Sequence, residues 1–339
     1  MAKLRIGVLR GIPDPPLLSV LSCIRSFALS AALDQVLLIP SPPCFSADRP
    51  DDRWKMLVVS CCDDKVLRPF LLPRPLSDTS EDPGSFFRIL KKEFPHAVLI
   101  PVDAGSSAEN CNSVRLNLPA GIIPDDLDVP IREYICCKGL YGYPARIPES
   151  ALWLDQLFSS LKPHRFAHSL AVADTARMMA ARFGEDPVKA EKAGLLHDCA
   201  KNLPVSEMRE IALQNSVTDD PYFLGNPALL HSVVGAVVAE KDYGMRDPDI
   251  LDAIRFHNTG YPGMSRLAMC VCLSDSIEPT RRSYPLLEQV RLLSCQSLEK
   301  ALLLSLEGTA DYVRKKSDFL HPRTQETIAW LKTLPAVRD

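Results

Sequence analysis

The spacing of apolar residues changes near the middle of the chain. In the first half, short apolar runs alternate with longer mixed segments; the runs are "LRIGVL", "DQVLLIP", "WKMLVVS" and "HAVLIPVDA". Each run predicts a β-strand, and helices are predicted over residues 17–32 and 85–93. The proline-rich stretches 40–50 and 68–83 predict surface loops. Strands separated by helices are typical of a parallel α/β sheet.

The second half carries helix signals throughout. An N-cap residue precedes a proline at Asp186-Pro187, Asn226-Pro227 and Asp247-Pro248. Glycines stand where helices should end, at Gly184, Gly244 and Gly260. Between these marks run "HSLAVADTARMMAARF", "VKAEKAGLLHDCAK", "ALLHSVVGAVVAEKDY" and "DILDAIRFHN", and "RLAMCVCLSDSI" follows Ser265. The pattern predicts an α/β domain over residues 1–147 and an all-α domain over residues 150–339.

Composition narrows the class of protein. A chain of 339 residues with 46% apolar and 24% charged residues favours two globular domains. The net charge of −3 and the lack of a Lys/Arg block argue against nucleic-acid and membrane partners. We see no signal peptide and no membrane span in the sequence. The eleven cysteines lack paired CxxC spacing, so we expect structural free thiols and a cytoplasmic protein.

Metal-ligating residue types recur along the helical half. Histidines and carboxylates stand in otherwise apolar helical segments at His168, His197, Asp198, His231, His257 and Asp275. One such histidine alone is more often a hydrogen-bonded core residue, and Asp275 alone could be a solvated helix end. Six together predict a metal site, because buried charges need a partner or a metal. Six ligands are too many for one catalytic ion and suit two ions sharing a carboxylate, with Asp198 as the bridge.

This ligand chemistry suggests a reaction. Imidazole and carboxylate suit Fe, Zn, Mn or Co. Two such ions would supply a bridging hydroxide and neutralise phosphoryl charge, which favours phosphoester or phosphoanhydride hydrolysis. Lys201 could assist at a phosphate oxygen or the leaving group, or could be a solvated helix end. Further substrate contacts are predicted for His164 and Arg165, one turn before His168, and for Asn258 and Thr259 in the loop "HNTGYPGM".

The order H…HD…H…H…D resembles that of the HD-domain metal-dependent phosphohydrolases. Residues 150–335 resemble the YqeK family of symmetrical diadenosine-tetraphosphate hydrolases within that superfamily. The matching segments are "HRFAHSLAVADTA", "RFGEDPVKAEKAGLLHDCAK", "LLHSVVGA", "DPDILDAIRFHNTGYPGMS" and "LSDSIEPTRR". The resemblance implies the same six ligands, a pair of iron-type ions, and cleavage of the dinucleotide into two ADP. It also implies that Arg281 and Arg282, in "EPTRR", bind phosphate.

The first half resembles the nicotinate-mononucleotide adenylyltransferases more faintly. The resembling segments are "RIGVLRGIPDPP", "DQVLLIPSPPCF" and "IREYICCKGLYGY". That family binds phosphates with an HxGH motif, where this chain has Leu17, Ser19 and Val20, and its later Ser-Thr-x-Ile-Arg motif remains only as Pro130-Ile131-Arg132 behind Val129. Apolar side chains cannot replace imidazoles that stabilise a pentavalent phosphate. We therefore expect the fold without adenylyl transfer. Nucleotide binding, packing and an oligomer interface, including a homodimer, stay open as roles.

The function predicted is metal-dependent hydrolysis of diadenosine tetraphosphate, with a small nucleotide as the only substrate class. Two alternatives stay open. One is another nucleotide phosphohydrolase or phosphodiesterase of the HD superfamily. The other is a nucleotide-sensing binding protein.

Overall fold

The computed structural model describes residues 3–10, 15–39, 50–70, 83–102, 126–218, 220–316 and 320–338. The chain divides into two compact units: Met1–Ile135 with Leu140–Tyr143, and Cys136–Gly139 with Pro144–Asp339. The first unit holds a parallel sheet and the second is helical, so the predicted fold class of α/β plus all-α is confirmed.

The N-terminal unit is built around four parallel strands. They are β1 (Arg5–Arg10), β2 (Gln35–Ile39), β3 (Leu67–Pro69) and β4 (Val98–Pro101), in the order β3-β2-β1-β4. The helices along this part are α1 (Leu18–Ser30), α2 (Pro50–Ser60) and α3 (Pro83–Glu93), followed by α4 (Val129–Lys138). Ile6 and Val8 of β1 lie in one apolar cluster and Leu9 in another. The sheet is therefore covered on both faces, as parallel sheets are.

Two sequence predictions fail in this unit. The run "WKMLVVS" forms part of helix α2 and is not a strand. A short apolar run does not distinguish strand from helix by periodicity, and the preceding Pro50-Asp51-Asp52 is a helix-start signal. The third strand, β3, lies where a loop was predicted; it has three residues and ends in Pro69, which is tolerated because β3 is an edge strand. Of the two predicted loops, residues 40–49 and 71–82 lie outside the described residues, and the last residues, Pro50 and Pro83, begin α2 and α3.

The C-terminal unit consists of helices. They are α5 (Ser150–Ser160), α6 (Pro163–Phe183), α7 (Pro187–Leu196), α8 (Val205–Gln214), α9 (Pro221–Gly225), α10 (Pro227–Lys241), α11 (Pro248–Phe256), α12 (Arg266–Ile277), α13 (Leu287–Ser294), α14 (Leu298–Lys315), α15 (Pro322–Leu331) and α16 (Pro335–Arg338). In the parts of the chain that the structure describes, none of the helices has the length and apolar character needed to cross a membrane.

The predicted helix starts are confirmed, as is the end at Gly184, whereas α10 and α11 end at Lys241 and Phe256, before Gly244 and Gly260. The Asp186, Asn226 and Asp247 side chains accept hydrogen bonds from the first turns of α7, α10 and α11. The Ser265 side chain caps α12 in the same way. Gly184 ends α6 in the left-handed conformation, with φ 78°. These caps fix where each helix begins and ends, and so where its polar residues lie.

One glycine allows α7 to approach α6 closely. A Cβ on Gly194 would stand 2.9 Å from the Cα of Ala173 and 3.0 Å from the carbonyl oxygen of Val172. Only glycine fits there without displacing backbone. This contact brings the C-terminal end of α7, with His197 just beyond it, against the helix that carries His168.

Candidate metal centre

The structure brings the six predicted metal ligands together. His168, His231 and Asp275 lie within α6, α10 and α12, whereas His197 and His257 directly follow the last residues of α7 and α11. Their rings form a continuous row: centroids are 5.2 Å apart for His168 and His197, 5.0 Å for His197 and His257, and 5.2 Å for His231 and His257.

The helix ends orient two of the imidazoles. Nδ1 of His197 lies 2.7 Å from the carbonyl oxygen of Gly194, and Nδ1 of His257 lies 2.8 Å from that of Ile254. Each carbonyl is one that a helix end leaves without an intrahelical partner. A carbonyl only accepts, so each Nδ1 carries the hydrogen and each Nε2 presents a lone pair. This is the tautomer that a metal-binding histidine needs.

Asp198 is shared between two groups of donors. Its Oδ1 lies 3.0 Å from Nε2 of His231 and 3.8 Å from Nε2 of His257, and its Oδ2 lies 3.7 Å from Nε2 of His197. Groups with ligand atoms within 4.8 Å of one another include His168–His197–Asp198, Asp198–His231–His257 and His197–His257–Asp275. The donor set suits divalent metal ions.

The acid–base state of the cluster also fits a cation. Burial lowers the pKa of His231 and of His257 to about 4, and it lowers the pKa of His197 as well, so these imidazoles are neutral. Burial opposes ionisation of Asp198 and Asp275, yet the histidines and the cationic side chains beside them, Lys201 at Asp198 and Arg281 at Asp275, hold the pKa of both carboxyls well below its usual range. Nε2 of His197 is buried and has no hydrogen-bond partner among the described residues. Neutral imidazoles beside ionised carboxylates are what divalent metal binding requires.

His168 differs from the other histidines. Burial disfavours its charged form, but carboxylates on both sides outweigh that effect and raise its pKa to about 9. Asp275 Oδ1 lies 2.9 Å from Nε2, and Glu278 Oε1 lies 3.0 Å from Nδ1. A proton is therefore held at the position where a metal ion would neutralise the same carboxylates.

Three cationic side chains contact the cluster. Arg165 Nη1 lies 3.2 Å from Asp198 Oδ2, and Arg281 Nη1 lies 3.5 Å from Asp275 Oδ1. Lys201 Nζ lies 2.9 Å from Nε2 of His231, and burial lowers the pKa of this lysine. All three are partly exposed, which leaves them open to a ligand.

The remaining predicted substrate contacts differ in their surroundings. The amide of Asn258 faces the cluster, with Nδ2 3.0 Å from Nε2 of His231. Thr259 is buried, and its hydroxyl donates to the carbonyl of Gly260 at 2.9 Å, so this hydroxyl supports the loop. His164 and Arg282 are exposed, His164 one turn before His168 on α6 and Arg282 beside Arg281.

Sequence reasoning missed Glu278. It assigned "EPTRR" to phosphate through the arginines and passed over the glutamate. A usable signal was present: Glu278 stands three residues after Asp275, a spacing that places both carboxylates on one side of the helix end. Its position directly before Pro279 also marks the end of α12.

Comparison with known proteins defines the class. The HD domain family model matches residues 165–280, which include all six clustered ligands. The helical unit is therefore an HD-domain hydrolase, as the sequence predicted. The chain is 40% identical over 173 residues to the symmetrical bis(5'-nucleosyl)-tetraphosphatase of Bacillus subtilis, covering 50% of this chain and 91% of that protein. It belongs to this family of HD-domain proteins.

Two further relatives extend the comparison. The crystal structure of a predicted HD superfamily hydrolase involved in NAD metabolism, from Clostridium acetobutylicum, is 38% identical with a TM-score of 0.52. The match covers 54% of this chain and 96% of that one. A probable nicotinate-nucleotide adenylyltransferase/Ap4A hydrolase of Mycoplasma genitalium is 32% identical over 156 residues, covering 44% of this chain and 43% of that protein.

Proposed function

We propose that this protein hydrolyses dinucleoside polyphosphates, cleaving diadenosine tetraphosphate symmetrically into two ADP at a pair of divalent metal ions. The observation that carries the proposal is the shared carboxylate of Asp198, which belongs to two separate groups of buried donors. Relatives that bear the name of this activity support the choice of substrate.

The ligand groups suggest how two ions would be held. His168, His197 and Asp198 would hold one ion, with Asp275 2.9 Å from His168 on the same side. Asp198, His231 and His257 would hold the other. Two such ions lower the pKa of water and offset phosphoryl charge. We expect Fe in the native protein, with Mn, Co or Zn as substitutes, because histidine and carboxylate accept all four.

The cationic side chains have a role in this reaction. A water molecule attacks one of the two inner phosphorus atoms, the bond from that phosphorus to the central bridging oxygen breaks, and ADP leaves. Both products are ADP, and the water oxygen stays on one of them. The Lys201 ammonium faces Nε2 of His231, the atom that would bind a metal ion, so a bound ion would leave the ammonium free to contact a phosphate oxygen. Arg165 and Arg281, which contact Asp198 and Asp275, would hold the outer phosphates, with Arg282, His164 and Asn258 as further contacts.

We propose further that the N-terminal unit has lost adenylyl transfer. Leu17 is buried at the start of α1, and Val20 packs against the apolar cluster around Leu21. Ser19 is occupied by Asp126: the Ser19 hydroxyl lies 2.5 Å from Oδ2 of that carboxylate. Ile131 is likewise buried. These positions serve packing, and three of the four offer an incoming nucleotide no polar group.

Product analysis tests both proposals. The full chain, stripped of metal and reloaded anaerobically with Fe²⁺ or Mn²⁺, is given diadenosine tetraphosphate, and the nucleotides are separated by anion exchange. We expect ADP alone; ATP plus AMP in equal amounts would contradict symmetrical cleavage. Tight binding of the dinucleotide without turnover would favour the sensor. Incubation with nicotinate mononucleotide and ATP should release no pyrophosphate.

A further inference from the structure

We propose that Glu278 is a positioning residue for one metal site: it fixes the tautomer and orientation of His168 and strengthens that imidazole as a ligand. This inference rests on the metal centre proposed above. It concerns one of the two ions only, the one held through His168.

Glu278 is held at the end of α12. Its backbone leaves the helical conformation, with φ −52° and ψ 153°. The residue before a proline is driven into this extended region, so Pro279 both ends the helix and sets the direction of Glu278. Two hydrogen bonds from Arg291 then hold the turn, one from Nε to the carbonyl of Ile277 at 2.9 Å and one from Nη2 to that of Glu278 at 2.7 Å.

Both carboxylate oxygens of Glu278 accept hydrogen bonds. Oε1 faces Nδ1 of His168 at 3.0 Å, and Oε2 accepts from the backbone N–H of Thr280 at 2.5 Å. Glu278 is only 1% exposed, so water does not compete for these oxygens. The neutral, metal-binding form of this imidazole must therefore keep its hydrogen on Nδ1 and present Nε2 towards Asp275.

The three comparable histidines show why this carboxylate matters. His197 and His257 are oriented by backbone carbonyls, which are neutral acceptors. His168 is oriented by the carboxylate of Glu278, which makes a stronger hydrogen bond than a backbone carbonyl and a more basic imidazole. Partners of this kind affect metal affinity by about 10-fold to 100-fold when they are removed. Among the described residues, a carboxylate therefore supports His168 on the side away from the proposed metal, whereas His197 and His257 have backbone carbonyls there.

The test compares two metal affinities in the same full-length chain. The metal-free protein is titrated with Mn²⁺ while free Mn²⁺ is followed by electron paramagnetic resonance. We expect the unaltered chain to bind two ions. Glu278→Gln should weaken one of them about 10-fold to 100-fold and leave the other unchanged. Glu278→Leu removes the polar group together with the charge. It should weaken the same one of the two metal sites, and it replaces Glu278→Gln if that variant does not fold.

Glu288→Gln is the matched control. Glu288 pairs with Arg291 at 3.0 Å, the arginine that also holds the carbonyl of Glu278, but its side chain is 79% exposed and it touches no ligand that the structure describes. Both metal affinities should be unchanged in this variant. A second control uses a His168→Ala background, in which Glu278→Gln should cause no further loss, because Glu278 acts through His168.

The outcomes separate the inference from the function on which it rests. Equal weakening of both sites, no weakening of either, or an additional loss in the His168→Ala background would each overturn the role of Glu278 while two ions still bind the unaltered chain. If the unaltered chain binds no Mn²⁺, the proposed function fails and this inference fails with it.

Discussion

The two units of this chain treat polar residues in opposite ways. The helical unit gathers three neutral histidines, a protonated one and the ionised carboxylates of Asp198 and Asp275 in one largely buried cluster, where each charge costs free energy unless it is paired. The sheet unit has the apolar side chains of Leu17 and Val20 at positions where the nucleotidyltransferase motif that the sequence resembles has imidazole, and Leu17 is buried. We therefore expect hydrolysis in the helical unit and no adenylyl transfer in the sheet unit.

Substitution of Asp198 should have the largest effect on the helical unit. We expect Asp198→Asn to lower turnover of diadenosine tetraphosphate roughly 1000-fold, because it removes the carboxylate shared by both donor groups. Metal ions stabilise the transition state by several kcal/mol, and each 1.36 kcal/mol corresponds to about tenfold in rate. Metal content and steady-state kinetics measure the effect. Asp252→Asn is the control, since that carboxylate is half exposed and pairs with Arg255. Full activity in the Asp198 variant would remove the two-metal proposal.

Substitution of Lys201 tests whether the cationic side chains beside the cluster act on the substrate. Lys201→Met should lower kcat about 100-fold, within the range for removal of one donor to a developing charge. The two ions should still bind, because Lys201 is not a ligand and competes for the His231 lone pair. Metal content at equilibrium distinguishes a lower kcat with both ions bound from loss of the metal site. A variant with normal kcat and a raised KM would instead assign Lys201 to ground-state binding.

The sequence predicted the helical unit better than the sheet unit, for a physical reason. Caps such as Asp186-Pro187 act within one turn, so local residues suffice to place a helix end. The ligands could be found because charged types stand out in apolar helices. The run "WKMLVVS" was misjudged because its strand-like composition says nothing about which faces are buried. Glu278 was missed because its function depends on its distance from His168, 110 positions away.

The proposed loss of adenylyl transfer in the sheet unit can be tested by introducing histidines at the two motif positions. Leu17→His with Val20→His should produce no adenylyl transfer and should lower the free energy of unfolding by about 1–3 kcal/mol, because a polar ring is buried without a partner. Urea unfolding measures the loss, and hydrolysis of diadenosine tetraphosphate should persist. Leu29→His, at a 76% exposed position on the same helix, is the control. Pyrophosphate release from the double variant would show that the unit keeps a working nucleotide site.

The smallest expected effect is a pH optimum in the stability of the metal-free protein. His231 and His257 have folded-state pKa values of about 4, so their contribution is present above their usual value of 6.5 and is lost as pH falls from there. His168 has a folded-state pKa of about 9, so its contribution is present below pH 6.5 and is lost as pH rises towards 9. Stability in chelator should therefore be greatest near pH 6.5.

Thermal unfolding across pH 4 to 9 checks this optimum. His168→Gln should flatten the decline above pH 6.5 and leave the decline below it. Saturating Mn²⁺ should also remove the upper decline, because His168 must lose its proton to bind metal. Stability that continues to rise from pH 6.5 to 9 in chelator would mean that Asp275 and Glu278 do not hold a proton on His168. The contrast between this histidine and the other three would then be lost.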